Sequence, residues 1–155
     1  MTINGNGTAE IKGSGVGEIS IANQEQTLSF VNAIVDGFDT AIDNSAGGDI
    51  NITDTTFSNN TTDLINDGNI NFYGTDSVKN ITDNSGQGTA GVINIGNDTT
   101  AGSVTFQEGG SIIQKEINVA ANSSLDNNAT INTDTVSNKG DITNNNSISI
   151  IVYCI

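Results

Sequence analysis

A short apolar motif recurs along this chain and sets its period. Gly48-Asp49-Ile50-Asn51-Ile52 returns twenty residues later as Gly68-Asn69-Ile70-Asn71-Phe72, and again as Gly91-Val92-Ile93-Asn94-Ile95. Looser copies are Gly17-Glu18-Ile19-Ser20-Ile21, Gly102-Ser103-Val104-Thr105-Phe106, Glu116-Ile117-Asn118-Val119, Ala129-Thr130-Ile131, Gly140-Asp141-Ile142 and Ser147-Ile148-Ser149-Ile150. Alternation with period two gives each copy one apolar face and one face of Asn, Ser or Thr, as in a strand. Strands of about three to five residues are too short for most sandwiches. A spacing of about 20 to 25 residues between such units indicates a solenoid, because one coil cannot bury its apolar face alone and stacked coils can. At a strand spacing of about 4.8 Å, about seven coils would reach about 34 Å.

The apolar residues support folding. They make up 34% of the 155 residues, and 22 of them are Ile against three Leu. A core rich in Ile, Val and Phe and poor in Leu favours strands over helices. The other reading, a disordered acidic low-complexity product, rests on net charge and polarity alone. Gly and Asn pairs fall where corners need a positive φ. Asn side chains repeated coil over coil can hydrogen-bond in ladders. The absence of Pro suits a chain whose ladders run without gaps. Leu28, Val31, Val35, Phe38 and Ile42 are spaced like a helical stripe. Gly37 and the β-branched residues weaken a helix there, so an irregular β coil is the expectation and a short helix the alternative.

The charge excludes several partners. The net charge is -14, and all four basic residues are Lys: Lys12, Lys79, Lys115 and Lys139. So few cations cannot bind a nucleic-acid backbone by counterion release. Without His there is no imidazole base and no His-ligated metal. Without Arg there is no bidentate clamp for phosphate or carboxylate. No cofactor is expected. No signal peptide and no membrane-spanning apolar run is recognisable in these residues. The apolar terminal segment from Ser147 to Ile155 stops abruptly, which suggests a truncated frame. Its lone Cys154 reads as an accident of the chain end, with an intermolecular link or a reactive thiol as alternatives.

Phe57-Ser58-Asn59-Asn60, following Gly48 to Thr56, resembles the Phe-x-x-Asn corner of right-handed parallel β-helix proteins. Thr40-Ala41-Ile42-Asp43-Asn44 resembles the Gly-Gly-Ala-Ile unit of polymorphic surface proteins, without its glycines. Leu64-Ile65-Asn66-Asp67-Gly68-Asn69-Ile70-Asn71-Phe72 and Val136-Ser137-Asn138-Lys139-Gly140-Asp141-Ile142-Thr143-Asn144-Asn145 are similar to the Asn-x-Gly-x-Ile-x-Asn repeats of autotransporter and adhesin passenger domains. The resemblance covers residues 17–150. It implies an all-β right-handed parallel β-helix, with residues 1–155 a single segment of a longer passenger. It also implies display outside the cell or on a bacterial outer-membrane surface.

Candidate sites in the sequence weigh toward structure. Asn132-Thr133-Asp134 matches one motif of polygalacturonases, but an inverting glycosidase needs two carboxylates, and that family's His and Arg motifs are absent. Pectate lyases need an Arg base, which this chain lacks. Asp36, Asp39 and Asp43 form the densest carboxylate group, and oxygen ligands can hold Ca²⁺. Neither a calcium-binding nonapeptide nor an EF-hand loop occurs, and Gly47-Gly48-Asp49-Ile50 is only a fragment of the former, so a solvated corner is expected. Gly13-Ser14-Gly15-Val16-Gly17 lacks the Lys-Ser/Thr of a phosphate loop and is expected to form turns. Sequons such as Asn51-Ile52-Thr53 and Asn80-Ile81-Thr82 follow from composition. No catalytic, cofactor-binding or metal residue is therefore assigned. The leading expectation is a non-enzymatic structural or adhesive segment. Its partners would be host or cell-surface glycans or proteins, bound by weak multivalent contacts, with terminal coils open to self-association. The alternative is a fragment of a carbohydrate-active β-helix: a polysaccharide lyase, a glycosidase or a phage tailspike.

Overall fold

The computed structural model describes residues 2–150, leaving out the side chains of residues 2, 4, 6–10 and 14–20. Cys154 and the rest of the apolar terminus beyond Ile150 lie outside the described residues. Among the described residues there are twelve strands and no helix. They are β1 (Thr2–Asn23), β2 (Thr27–Asn44), β3 (Asp49–Thr53), β4 (Thr56–Ser58), β5 (Thr62–Asn66) and β6 (Asn69–Thr82). There follow β7 (Val92–Ile95), β8 (Gly102–Val119), β9 (Ser124–Asn127), β10 (Thr130–Asn138), β11 (Asp141–Asn144) and β12 (Ser147–Ile150). Every pairing among them is parallel, and the strands stack as a β-solenoid of about six turns.

The coil has three faces. Face A carries Phe30, Ile52, Phe72, Ile95 and Val119 in one inward row, and Leu28, Ile50, Ile70, Ile93 and Ile117 in the other. Face B stacks Val35, Phe57, Val78 and Phe106. Face C stacks Ile42, Leu64, Ile81, Ile112 and Ile131. These side chains share one core, and each fully buried Ile or Phe contributes about 1.5–3 kcal/mol relative to exposure. The expected seven coils correspond to seven stacked strand levels on face A, from β1 to the end of β10, which enclose six coil-to-coil steps. The stack from first to last level is therefore about 29 Å long.

Four strands are far longer than the expected three to five residues: 22 for β1, 18 for β2, 14 for β6 and 18 for β8. They run round corners as continuous extended backbone, although the pairing lapses there, as between Val31 and Ile34 and between Asp36 and Thr40 of β2. A left-handed residue makes the bend. Asn32 (φ 51°), Asp54 (50°), Gly74 (72°), Gly96 (67°) and Asn122 (62°) occupy the bend from face A to face B in five coils. The apparent helical stripe is resolved in the same way. Leu28 to Ile42 lie in β2, but Val31 faces outward; the left-handed Asn32 and Gly37 (φ 79°) reset the alternation at each corner, so inward residues fall two or three apart, as at Leu28, Phe30, Ala33, Val35 and Phe38. Gly13 to Gly17 likewise lie within β1, correcting the expectation of turns. The ladder there is irregular, with register shifts between Lys12 and Gly15 and between Gly15 and Ile19.

Side chains close the corners where the ladder opens. On the inside, between faces C and A, Asn23 Nδ2 donates to Asn44 Oδ1 at 2.8 Å and Asn44 Nδ2 to Asn66 Oδ1 at 2.7 Å. Asn66 Nδ2 then donates to Gln114 Oε1 at 2.6 Å. Between faces B and C, Asn60 accepts the Phe38 N–H at 2.8 Å and donates to Val35 O at 3.0 Å. The Phe-x-x-Asn segment thus acts as a corner: Phe57 fills the core, Asn59 (φ 53°) turns the chain, and Asn60 satisfies the exposed backbone groups.

Candidate functional site

The outward row of face A carries a second amide ladder. Asn71 Nδ2 donates to Asn51 Oδ1 at 3.0 Å, Asn94 to Asn71 at 2.9 Å and Asn118 to Asn94 at 3.0 Å. An amide has two N–H groups and two lone pairs. Each inner rung spends one of each on the ladder and keeps one of each facing outward. The rungs repeat at about 4.8 Å.

Beside this ladder runs a second outward row: Tyr73, Gly96, Ala120 and Lys139. The backbone bonds Gly96 N to Phe72 O, Ala120 N to Ile95 O and Lys139 N to Val119 O hold these residues in step. Tyr73 and Lys139 are long and the two residues between them are small, so the row is empty over its middle. The result is a cleft of about 350 Å³, with Asn71, Asn94 and Asn118 on one side and Asn97 and Asp98 overhanging the other. From Tyr73 to Lys139 is three coil steps, about 14 Å.

Local chemistry builds the overhang. Residues 97–101 are inserted between β7 and β8. Asn97 Oδ1 accepts from Thr99 N at 2.9 Å, Thr99 Oγ1 at 2.9 Å and Thr100 N at 2.8 Å, and Asn97 N donates to Thr100 O at 2.8 Å. Its amide nitrogen reaches across to Tyr73 Oη at 3.3 Å. Gly96 starts the insertion in a left-handed conformation, and a Cβ there would collide with Ser123 Oγ, the group that accepts the Gly102 N–H at 3.1 Å. The lining offers amides, a phenol ring, one ammonium and one carboxylate, Asp98. It supplies hydrogen bonds and an aromatic surface; the carboxylate pair of an inverting glycosidase is not formed by these residues.

Among the described residues the most deeply buried carboxylates, Asp63, Asp83 and Asp76, lie elsewhere. Asp63 accepts from Asn60 Nδ2 at 2.9 Å, Lys79 N at 2.6 Å and Asn80 N at 3.0 Å; burial raises its pKa and these bonds oppose the rise. Burial also pushes Asp83 up, but bonds from Ser85 and the Thr89, Ala90 and Gly88 N–H groups outweigh it and leave its pKa lowered. Asp76 points into the core on face B between Thr55 and Val104. It accepts only the Thr55 N–H, at 2.8 Å, and its Oδ2 has no partner. Burial raises its pKa to about 7, with the Thr55 bond opposing and the Asp54 charge adding to the rise.

The residues singled out in the sequence are distributed, not gathered. Asp36 sits on face B, where hydrogen bonds from Ser58 (2.7 Å) and Asn59 (2.6 Å) lower its pKa and Lys12 lies 3.6 Å away. Asp43 sits on face C, its pKa raised by burial and by Asp67. Asp36, Asp39 and Asp43 do not converge; among the described residues no group of three such side chains could hold a metal. Gly47 (φ 83°) and Gly48 turn the chain from face C to face A, and a Cβ on Gly48 would strike the internal Asn ladder. In Asn132-Thr133-Asp134, Thr133 is a buried staple, its hydroxyl within 3.1 Å of Lys115 O and of Thr135 O. One buried oxygen of Asp134 lacks a partner. Sequence reasoning missed the cleft, although the polar insertion Asn97-Asp98-Thr99-Thr100 was a visible break in the repeat. It also missed Asp76, whose parity with Val78 marks it as inward. Comparison with family models, curated proteins and solved structures finds no match to this chain.

Proposed function

We propose that this chain is a structural and adhesive segment, without enzymatic activity, of a bacterial surface or secreted protein of the autotransporter-passenger type. The supporting observation is the outer amide ladder of face A. It presents the same unspent donor and acceptor at successive coils, which suits weak contacts repeated along an extended ligand. The closed core beneath keeps the rungs in register, and each coil adds about 4.8 Å to the length of the display. The partners on this reading are glycans or proteins on a host or neighbouring cell, and the segment is then displayed outside the cell. The test is to insert residues 1–155 into a surface-display scaffold lacking its own adhesin, on a non-adherent bacterium. Retention on glycan-coated and host-protein-coated surfaces is then measured under flow. The expected result is retention above the empty scaffold on at least one coating; retention equal to the scaffold on all of them rejects the adhesive role.

A further inference from the structure

We infer that the face A cleft is a binding site for an uncharged oligosaccharide chain lying along the solenoid axis. This rests on the adhesive reading and names its ligand class. The length of the cleft, about 14 Å, is set by three coil steps, and a pyranose unit is close in length to one step, so a chain of hexoses meets one amide rung per sugar. Each of Asn71 and Asn94 keeps one outward N–H and one outward lone pair, the complement of vicinal hydroxyls that both donate and accept. Tyr73 closes one end and offers its ring to the apolar face of a sugar, its hydroxyl steadied by Asn97. The small residues Gly96 and Ala120 leave room for that ring-sized ligand.

The charge decides against other occupants. The lining carries one cation, Lys139, and one anion, Asp98, on a chain of net charge -14. An acidic glycan is repelled by the field of the whole molecule. An apolar helix finds amides where it needs a greasy groove. An uncharged polyhydroxyl chain meets neither cost.

The test is an NMR titration of the ¹⁵N-labelled chain with laminaripentaose, cellopentaose, chitopentaose and maltopentaose, and with pentagalacturonate as the charged control, each to about 10 mM. At least one neutral pentasaccharide is expected to shift the side-chain amides of Asn71, Asn94, Asn97 and Asn118. Tyr73→Ala is expected to weaken that binding about tenfold, the equivalent of about 1.4 kcal/mol. Ala120→Leu, which fills the empty stretch of the row from outside the core, is expected to abolish it while the core methyl spectrum stays that of the parent. The inference is overturned if no neutral sugar shifts these amides, if pentagalacturonate binds there more tightly, or if Ala120→Leu binds like the parent. The display assay separates the two levels. Adhesion by both the parent and Ala120→Leu retains the adhesive reading and rejects the cleft, with a protein partner then indicated; adhesion by neither rejects both.

Discussion

Replacing Asp76 by Asn should make this fold markedly more stable near neutral pH and change it by only about 1 kcal/mol at about pH 4.5. The buried carboxyl titrates at about 7 against 3.8 for an exposed one. Its folded pKa is raised, so between those values the unfolded chain releases a proton that the folded chain holds. Stability therefore falls as pH rises through this window, by about 1.4 kcal/mol for each pH unit while the difference lasts. The whole interval corresponds to about 4 kcal/mol, a large share of the 5–15 kcal/mol typical of a domain. An Asn side chain keeps the acceptor for the Thr55 N–H. Its amide nitrogen stands where Oδ2 already lacks a partner, so it adds little to the cost that the protonated acid carries. Asp63 also has a raised pKa, but both proteins contain it and its effect cancels in the difference.

The assay is urea unfolding of parent and Asp76→Asn by circular dichroism at several pH values from about 4.5 to 8, a window chosen to lie above the lowered carboxyls Asp36 and Asp83. The two curves should lie about 1 kcal/mol apart at the acid end and separate to about 4 kcal/mol at the other, with Asn the more stable. A carboxyl carbon titration of the folded parent should place Asp76 near 7. Parallel stability curves, or an Asp76 carboxyl titrating in the ordinary range, would refute the argument that an interior position with one donor cannot hold the charge.

Other positions test other parts of the structure. Asn66→Ala removes the middle of the internal ladder and strands Asn44 and Gln114 in the interior, so denaturant melts should show a loss of about 3 kcal/mol. The outward Asn94→Ala, with water at hand to replace its partners, should cost less than about 1 kcal/mol in the same melts. Phe106→Ala opens a cavity between Val78 and Asn127 on face B and should cost about 3–5 kcal/mol. Gly96→Ala sets a Cβ against Ser123 Oγ in a left-handed backbone, costing about 1–2 kcal/mol from conformation alone, and hydrogen exchange at the Gly102 amide should accelerate most.

The solenoid was legible because each apolar alternation is local. Gly68 to Phe72 reads as a strand without knowing what lies above it, and the twenty-residue return of Gly48 to Ile52 supplies the stacking. Which face a copy of the motif occupies was not legible: Gly48 to Ile52 lie on face A, Gly102 to Phe106 on face B and Ala129 to Ile131 on face C. The same pattern serves all three because each face asks only for an inward Ile or Phe. The helical spacing of Leu28 to Ile42 misleads for a related reason. Corners that cost one residue shift the parity, so inward residues come two and three apart, and the outward Val31 completes a helical spacing with the inward Leu28, Val35, Phe38 and Ile42.

The cleft escaped because it is a relation between coils of unequal length. Tyr73, Gly96, Ala120 and Lys139 align only after the insertion at residues 97–101 and the loop closed by Asp83 are counted correctly, and no fixed period does that. The same fact says where to look for specificity in such a chain. A strictly repeated coil presents an identical surface at every level, so it can add avidity and length but cannot choose a ligand. Choice requires a level that differs from its neighbours. Here the overhang at Asn97 and the missing side chain at Gly96 break the row between Tyr73 and Lys139. The regular coils hold that break at a fixed distance from the ladder, and on the proposed reading the break decides what the ladder binds.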